Sequence, residues 1–372
     1  MKKRVSVGHV DGLLVALLAV LILVGATLFS SAAFGLIARG SLNASSIFLN
    51  HLGLGVGLGL VGLVITASID MSLWRRYAPH LFAAAVFLTL LVFVPHIGLM
   101  HGGGRRWIVL AHISIQPSEF LKLASIVLAA SYCVMVRNKI KSIKYGLGGI
   151  LAILGAPVLL LVAQPDLGTL GVICMSVLAV FWVAGARFSH LMLLGVIGVV
   201  TILLLATLRP YVRDRIETFI HPATGQQSQS YQLKQALIAI GSGEVTGRGF
   251  GQGIQKFTYL PEPMGDSIFA VLGEEFGFVG ALMLIILFLA FALRGYTISV
   301  RSGDIFATYV GVGITTYFIF EAFINISSML GIAPLTGIPL TFISQGGSAM
   351  LVSLTSAGVL LRVSRTKQTR IV

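Results

Sequence analysis

Charge is what this sequence has least of. Only 10% of its 372 residues are Asp, Glu, Lys or Arg, against about 25% in a soluble domain. A chain this poor in charge cannot hydrate a surface of its own size, which excludes an ordinary water-soluble globule. Acids are scarcest, 13 against 26 basic residues, so each carboxylate can be weighed singly. Cysteine is nearly absent. Cys133 and Cys174 both lie inside apolar runs, which leaves no disulfide framework and no cysteine-rich metal centre. The eight histidines lack metal-ligand spacing; His96 and His101 come nearest, and a loop role suits them better. No long polar segment could fold separately, so residues 1–372 are expected to form a single transmembrane domain.

Apolar sequence fills the chain instead. Hydrophobic residues make up 56%, with a mean hydropathy of +0.95. They come in runs near the ~20 residues that span hydrocarbon. The runs cover 12–34, 47–68, 78–99, 118–135, 146–163, 167–184, 189–208, 267–293, 305–330 and 347–362. The expected fold is therefore an all-α polytopic membrane protein of about ten helices. The first run follows Met1-Lys2-Lys3-Arg4 like a signal peptide but lacks a small-residue cleavage site, and it reads as a retained helix.

Orientation follows from Lys and Arg, which concentrate in short cytoplasmic loops. With the N-terminus inside, sixteen fall inside: Lys2, Lys3, Arg4, Arg75, Arg76, Arg137, Lys139, Lys141, Lys144, Arg187, Arg294, Arg301, Arg362, Arg365, Lys367 and Arg370. Only Arg39, Arg105 and Arg106 fall in short outside loops. Both termini are expected in the cytoplasm. The net charge of +13 thus sets topology, and nucleic acid is not an expected partner, because no soluble basic module carries it.

One long connection, 209–266, lies outside between the seventh and eighth runs. Tyr231 to Ile240 within it reads as a short amphipathic helix suited to a membrane surface. A glycine-rich stretch follows, with Gly241, Gly243, Gly247, Gly249, Gly251 and Gly253. No Gly-Lys-Ser/Thr closes it, so it is not a phosphate-binding P-loop. It is either a flexible link or a backbone surface shaped for a ligand.

The acids are the informative residues. Asp11, Asp70 and Asp304 sit at run ends and read as solvated interfacial groups. Glu119 and Lys122 open the fourth run three residues apart, a spacing that puts both on one helix face. Charges at that depth cost about 2.5–3.5 kcal/mol, so they form a structural ion pair, line a cavity, or do both. Asp166, in the tight turn Gln164-Pro165-Asp166-Leu167-Gly168, either caps the next helix or contributes to a site. Asp266 ends the long loop after Leu260-Pro261-Glu262-Pro263-Met264-Gly265. It is also a capping candidate, and a carboxylate held at a partly dry mouth is a good general base. Of Glu274 and Glu275, at least one should be paired or protonated. Glu321 reads as a structural contact. The segment Gly331 to Ser348 is apolar yet rich in Pro and Gly, the signature of a re-entrant stretch beside a cavity.

Four of these motifs together resemble the SEDS (FtsW/RodA/SpoVE) family. They are Gly104-Arg105-Arg106-Trp107 with Gln116-Pro117-Ser118-Glu119; Gln164-Pro165-Asp166-Leu167-Gly168; Tyr259-Leu260-Pro261-Glu262 through Asp266-Ser267-Ile268-Phe269-Ala270-Val271; and Ser344-Gln345-Gly346-Gly347-Ser348. They occur in the family's order and cover almost the whole chain. Gln255-Lys256 and Gly273-Glu274-Glu275 resemble the division branch. The chain departs from the pattern at Pro263-Met264-Gly265, Ser267, Thr341 and Ala349.

The resemblance implies a peptidoglycan glycosyltransferase of the cytoplasmic membrane with its site facing outside. Such an enzyme polymerises lipid II into a growing glycan strand during septal synthesis, beside a class B penicillin-binding protein and other divisome proteins. Asp266 is then the catalytic acid-base residue. Glu119, Lys122, Asp166, Gln164, Glu262, Ser344, Gly346 and Gly347 would bind substrate or shape its cavity. Arg105, Arg106, Arg213, Arg215, Arg248 and Lys256 are the outside cations available to a lipid diphosphate. The resemblance fixes no cofactor; a divalent cation, Mg2+ or Mn2+, could share that task. The competing readings are a lipid II flippase, a non-catalytic scaffold and an elongation-type polymerase.

Overall fold

The computed structural model describes residues 6–7, 9–38, 49–101, 104–110, 113–221 and 228–367. Lys2, Lys3, Arg4, Arg39 and Arg370, used above for orientation, lie outside the described residues. The protein is a polytopic helical membrane protein. Its spans are α1 (Gly12–Ala38), α2 (Leu58–Ser68, entered through a π-helical stretch Leu49–Gly57), α3 (Met71–Leu91), α4 (Pro117–Met135) and α5 (Gly148–Ala163, entered through Ile143–Leu147). There follow α6 (Leu167–Val183) and α7 (Phe188–Leu208); after the long connection come α11 (Ile268–Val300), α12 (Ile305–Met329) and α13 (Gly347–Arg365). Each of the ten apolar runs contains a helix, and eight of the helices among the described residues are long and apolar enough to cross a membrane.

The third span differs from the sequence reading, which put it at 78–99. The helix starts at Met71 and stops at Leu91. Arg75 and Arg76 lie on its exposed side, where long side chains carry their charge to the interface. Pro95 disfavours helix at Val94. The chain then forms a small antiparallel sheet, β2 (Gly98–His101), β3 (Gly104–Leu110) and β4 (Ile113–Ile115), with Gly98 opposite Ile108 and Ile108 opposite Ile115. Hydropathy conceals this sheet because its strands are short and lie between spans.

Residue burial ranks the helices. In α13 and α12, 78% and 72% of the apolar stretch is buried, against 6% in α7. The first two are therefore the centre of the bundle and the last a lipid-facing flank. The chain ends meet: β1 (Ser6–Val7) pairs with β5 (Thr366–Lys367), and Asp11 N–H donates to Ser364 Oγ at 3.2 Å. Both ends thus lie on one face, as an even number of spans requires. The acids expected to be merely solvated there are paired or capping. Asp11 holds Arg294 at 2.5 Å, Asp70 holds Arg362, and Asp304 accepts from Phe306 N–H at 3.1 Å.

The long connection folds into α8 (Pro210–Ile220), α9 (Ser228–Ser242) and α10 (Gln255–Thr258). The expected amphipathic helix is α9. Its apolar stripe, Leu233, Ala236 and Ala239, is buried in the protein core.

The glycine-rich stretch is neither a loose link nor a ligand cradle. It threads into a break in α11, where Gly277 has φ +63 and ψ −162. The carbonyls of Glu274 and Glu275 accept from the N–H groups of Arg248 and Gly249 at 3.0 and 2.9 Å. Phe278 and Val279 N–H groups donate to Glu244 and Val245 carbonyls at 2.9 and 3.1 Å. The loop so replaces the helical bonds that the break removes, as irregular backbone at this depth requires. A Cβ on Gly277 would overlap the backbone of Val245 and Gly247, so φ and space both demand glycine.

Candidate active site

A cavity of about 710 Å³ opens at the start of α11, where Gly265 and Asp266 line it. Five separate stretches supply its polar wall: Arg106 from β3, Glu119 from α4, Asp166 before α6, Arg215 from α8, and Asp266 before α11. Glu262 and the Gly346-Gly347 backbone of the re-entrant segment complete it. Motifs separated by up to 241 positions (106 to 347) thus share one space.

Asp266 is held from four sides. Gly265 and Ser267 N–H groups donate to the Glu262 carbonyl at 3.0 and 3.2 Å, closing a turn. Gln345 N–H donates to the Met264 carbonyl at 2.7 Å, and Met264 packs with Phe29, Ala32 and Ala33 of α1. Asn325 Nδ2 donates at 2.8 Å to both the Asp266 and Ile338 carbonyls, tying this turn to the re-entrant segment. Gln232 Nε2 donates to Asp266 Oδ1 at 3.0 Å. Desolvation raises the Asp266 pKa to about 6; Glu262 adds to the rise, while the Gln232 and Ser267 hydrogen bonds oppose it. Ser267, not Asp266, is the residue before α11, and no side chain caps that helix.

The Gln164-Pro165-Asp166 turn has two tasks. Its Gln164 and Pro165 carbonyls accept from Arg106 Nε, at 3.1 Å, and from Nη2, which aims the guanidinium into the cavity. Asp166 Oδ1 caps α6 by accepting from Thr169 N–H at 3.2 Å, while Oδ2 accepts from Gln116 Nε2 at 3.3 Å. Capping and cavity lining, open alternatives in the sequence, are both realised. Gln164 is buried behind the wall, where its Nε2 donates to the Thr89 carbonyl at 3.1 Å. Arg215 stands near Arg106 with no hydrogen-bond partner for Nε among the described residues. Burial and then Arg106 lower its pKa. Two converging guanidiniums in a partly dry space are a ready diphosphate receptor.

Glu119 lines the cavity floor and Lys122 lies beneath it. Lys122 Nζ is 2.7 Å from both Glu119 and Glu321, and Glu321 accepts from Thr341 Oγ1 at 2.6 Å. Glu321 is the structural contact expected of it. Thr341, a departure from the family pattern, supplies that carboxylate with a hydroxyl. Ser344 is also buried, accepting from Leu340 N–H at 2.7 Å to shape the re-entrant turn.

Four proposed phosphate cations do not reach the cavity. Arg105 and Arg213 are exposed and line no part of it. Arg248 is exposed and donates to the Ser242 carbonyl. Lys256 is fully buried against Glu275 Oε1 at 2.5 Å and Ser31 Oγ at 2.6 Å. Its depth follows from the glycine-rich loop, which folds onto the broken helix and carries Lys256 inward. Glu274 meanwhile accepts from the Ile254 and Gln255 N–H groups at 2.8 and 3.2 Å. Sequence reasoning missed Gln232, Asn325 and the cavity-lining His51. Asn325, an amide within an apolar span, was a usable signal; neutral Gln232 on a polar helix face was not.

Among the described residues, no group of three or more His, Cys, Asp or Glu forms a metal cage. Glu262 and Asp266 are neighbouring carboxylates on the wall, and one or two carboxylates with waters and substrate phosphates are what Mg2+ usually takes.

Residues 11–369 match the family model described as a cell cycle protein, FtsW/RodA/SpoVE. The chain is 38% identical to stage V sporulation protein E of Bacillus subtilis, over 83% of this chain and 84% of that one. It is 35% identical to a probable peptidoglycan glycosyltransferase FtsW of Saccharophagus degradans, over 96% and 92%. Its fold is similar to a chain from a study of how a peptidoglycan synthase complex coordinates polymerization and crosslinking, with TM-score 0.77 and 24% identity over 97% and 99%. The rod shape determining protein RodA of Thermus thermophilus is also similar, with TM-score 0.71 and 25% identity over 96% and 98%. Motif order, cavity and comparisons agree: this chain belongs to the FtsW/RodA/SpoVE family, the SEDS family that its sequence resembles.

Proposed function

We propose that this protein is a peptidoglycan glycosyltransferase that polymerises lipid II at the outer face of the cytoplasmic membrane during septal wall synthesis, with Asp266 as general base. One observation carries the reading: a carboxylate at the cavity wall faces the same space as two guanidiniums, Arg106 and Arg215. The acceptor sugar's 4-hydroxyl gives its proton to Asp266 as its oxygen attacks the donor's anomeric carbon. The bond from that carbon to the lipid diphosphate breaks, and the pair of electrons leaves with the diphosphate. Arg106 and Arg215 meet its charge. A single displacement inverts the carbon, so one base suffices where a retaining glycosidase needs a nucleophile and an acid. Asp166 and Glu119 shape the wall, and Lys122 neutralises the floor. The apolar side of the same cavity, with Leu58, Phe120 and Leu351, suits the first part of a prenyl chain. A class B penicillin-binding protein and other divisome proteins are the partners that family membership supports.

Labelled lipid II incubated with the purified protein and its cognate penicillin-binding protein tests this. Glycan strands should form with wild type and be reduced at least about 10²-fold by Asp266→Asn, the lower range for loss of a general base. Undiminished strands from Asp266→Asn would remove Asp266 from the chemistry. Strands from neither protein, with lipid II crossing liposome bilayers, would favour the flippase.

A further inference from the structure

We infer that Gln232 is a positioning residue for this transfer: its amide holds one oxygen of Asp266 so that the other is presented to the acceptor hydroxyl. The inference rests on Asp266 being the base.

Gln232 Nε2 is 3.0 Å from Asp266 Oδ1 and 3.0 Å from Ser267 Oγ, so one amide group spans both side chains. The nitrogen must face the carboxylate, because an amide oxygen in its place would repel it. Ser267 Oγ itself lies 3.5 Å from Oδ1, at the limit of a hydrogen bond, which leaves Gln232 as the shorter contact. Asp266 Oδ2 points the other way. It lies 3.9 Å from where a Cβ on Gly337 would stand. Gly337 lines the cavity and has φ +69, a backbone conformation that favours glycine, so this oxygen faces cavity-lining backbone.

Anchoring α9 does not need this amide. The helix is held by its buried stripe of Leu233, Ala236 and Ala239. Gln232 instead reaches from that helix to the one carboxylate the chemistry requires. A donor to the ionised form favours ionisation, so the same contact opposes the rise that burial and Glu262 impose on Asp266. Other ionisable groups facing this space are Glu119, Asp166, His51, Arg106 and Arg215 on the cavity wall. On α9 itself Lys234 is exposed. On the neighbouring helices Glu274, Glu275 and Glu321 are engaged elsewhere. Gln232 is thus the nearer of two neutral donors among charges, able to orient the base without neutralising it.

The test is the pH dependence of initial polymerisation rate for Gln232→Ala and Gln232→Glu, using fluorescent lipid II and the complex with its penicillin-binding protein. Loss of the donor should move the acid limb upward by about one pH unit. The Gln232→Ala rate should then fall about five- to tenfold near pH 6 and recover substantially near pH 8. Gln232→Glu, which sets a like charge beside Asp266, should move the limb at least as far. A thermal melt of each variant reports folding. An unmoved limb, or a loss equal at every pH in a folded variant, overturns the inference. Asp266→Asn, run in parallel, separates the two claims. If it polymerises normally the base assignment falls; if it is inactive while the Gln232→Ala limb stays in place, only the positioning role falls.

Discussion

Asp266 has to be charged to accept a proton, and its surroundings make that charge costly. Burial raises its pKa to about 6, so the base form predominates only above that value. The rate should therefore rise with pH through an acid limb near 6 and level off towards neutrality, measured as kcat/KM for lipid II. A limb near 4, the ordinary carboxylate range, would mean that the working base is better solvated. Asp266 stood out in the sequence because carboxylates are so few. Its neighbours did not separate in the same way. Arg105 and Arg106 are adjacent and chemically identical, yet only Arg106 enters the cavity; it is the extra residue where β3 shifts register against β2, and such bulges re-aim side chains. Which one does so depends on how β3 meets the Gln164-Pro165 carbonyls, a contact across 58 positions.

The glycine-rich loop and broken α11 form one element made of two distant pieces. Glu274 caps α10, and Glu275 gathers Gly251 N–H, Ser31 Oγ and Lys256 Nζ at 3.0, 2.7 and 2.5 Å. Removing one member of a buried pair costs about 3–5 kcal/mol, whereas removing both charges costs far less. Lys256→Met alone should therefore lower unfolding stability in detergent by about 3 kcal/mol. The Lys256→Met/Glu275→Gln double variant should recover much of that loss, read from chemical denaturation. Equal losses in single and double variants would show that the pair is not coupled. The sequence placed Lys256 among exposed phosphate ligands because a cation in a long loop is normally solvated. Its burial becomes visible only once α11 is seen to break at Gly277 and take the loop as its partner.

At the scale of the molecule, the apolar helices and the paired chain ends, β1 against β5, commit the described residues to one topology. Single cysteines placed at Arg137 and Arg301 should react with a membrane-impermeant maleimide only from the cytoplasmic side, and one at Arg105 only from outside. The reverse pattern would put the cavity on the wrong face for external substrate. Span number and the arginine and lysine bias were legible in sequence because a bilayer imposes length and hydropathy on each helix independently. The irregular, cavity-lining segment before α13 was legible too, as Pro and Gly within apolar sequence. The small sheet, the early start of α3 and the packing of α9 on the bundle were not, since each depends on what lies beside it.

The sequence by itself determined the solvent in which this protein folds, its long apolar helices, its family and the carboxylate, Asp266, that stands at the cavity. These follow from local composition and from motifs whose order survives without a structure. Tertiary structure alone decided which cations face the cavity, that Lys256 is an internal strut, and that Gln232 and Asn325 hold the Asp266 turn. Those outcomes rest on contacts between residues 31 and 275, 232 and 266, or 266 and 325. Such contacts form when helices pack, and no spacing along the chain encodes them.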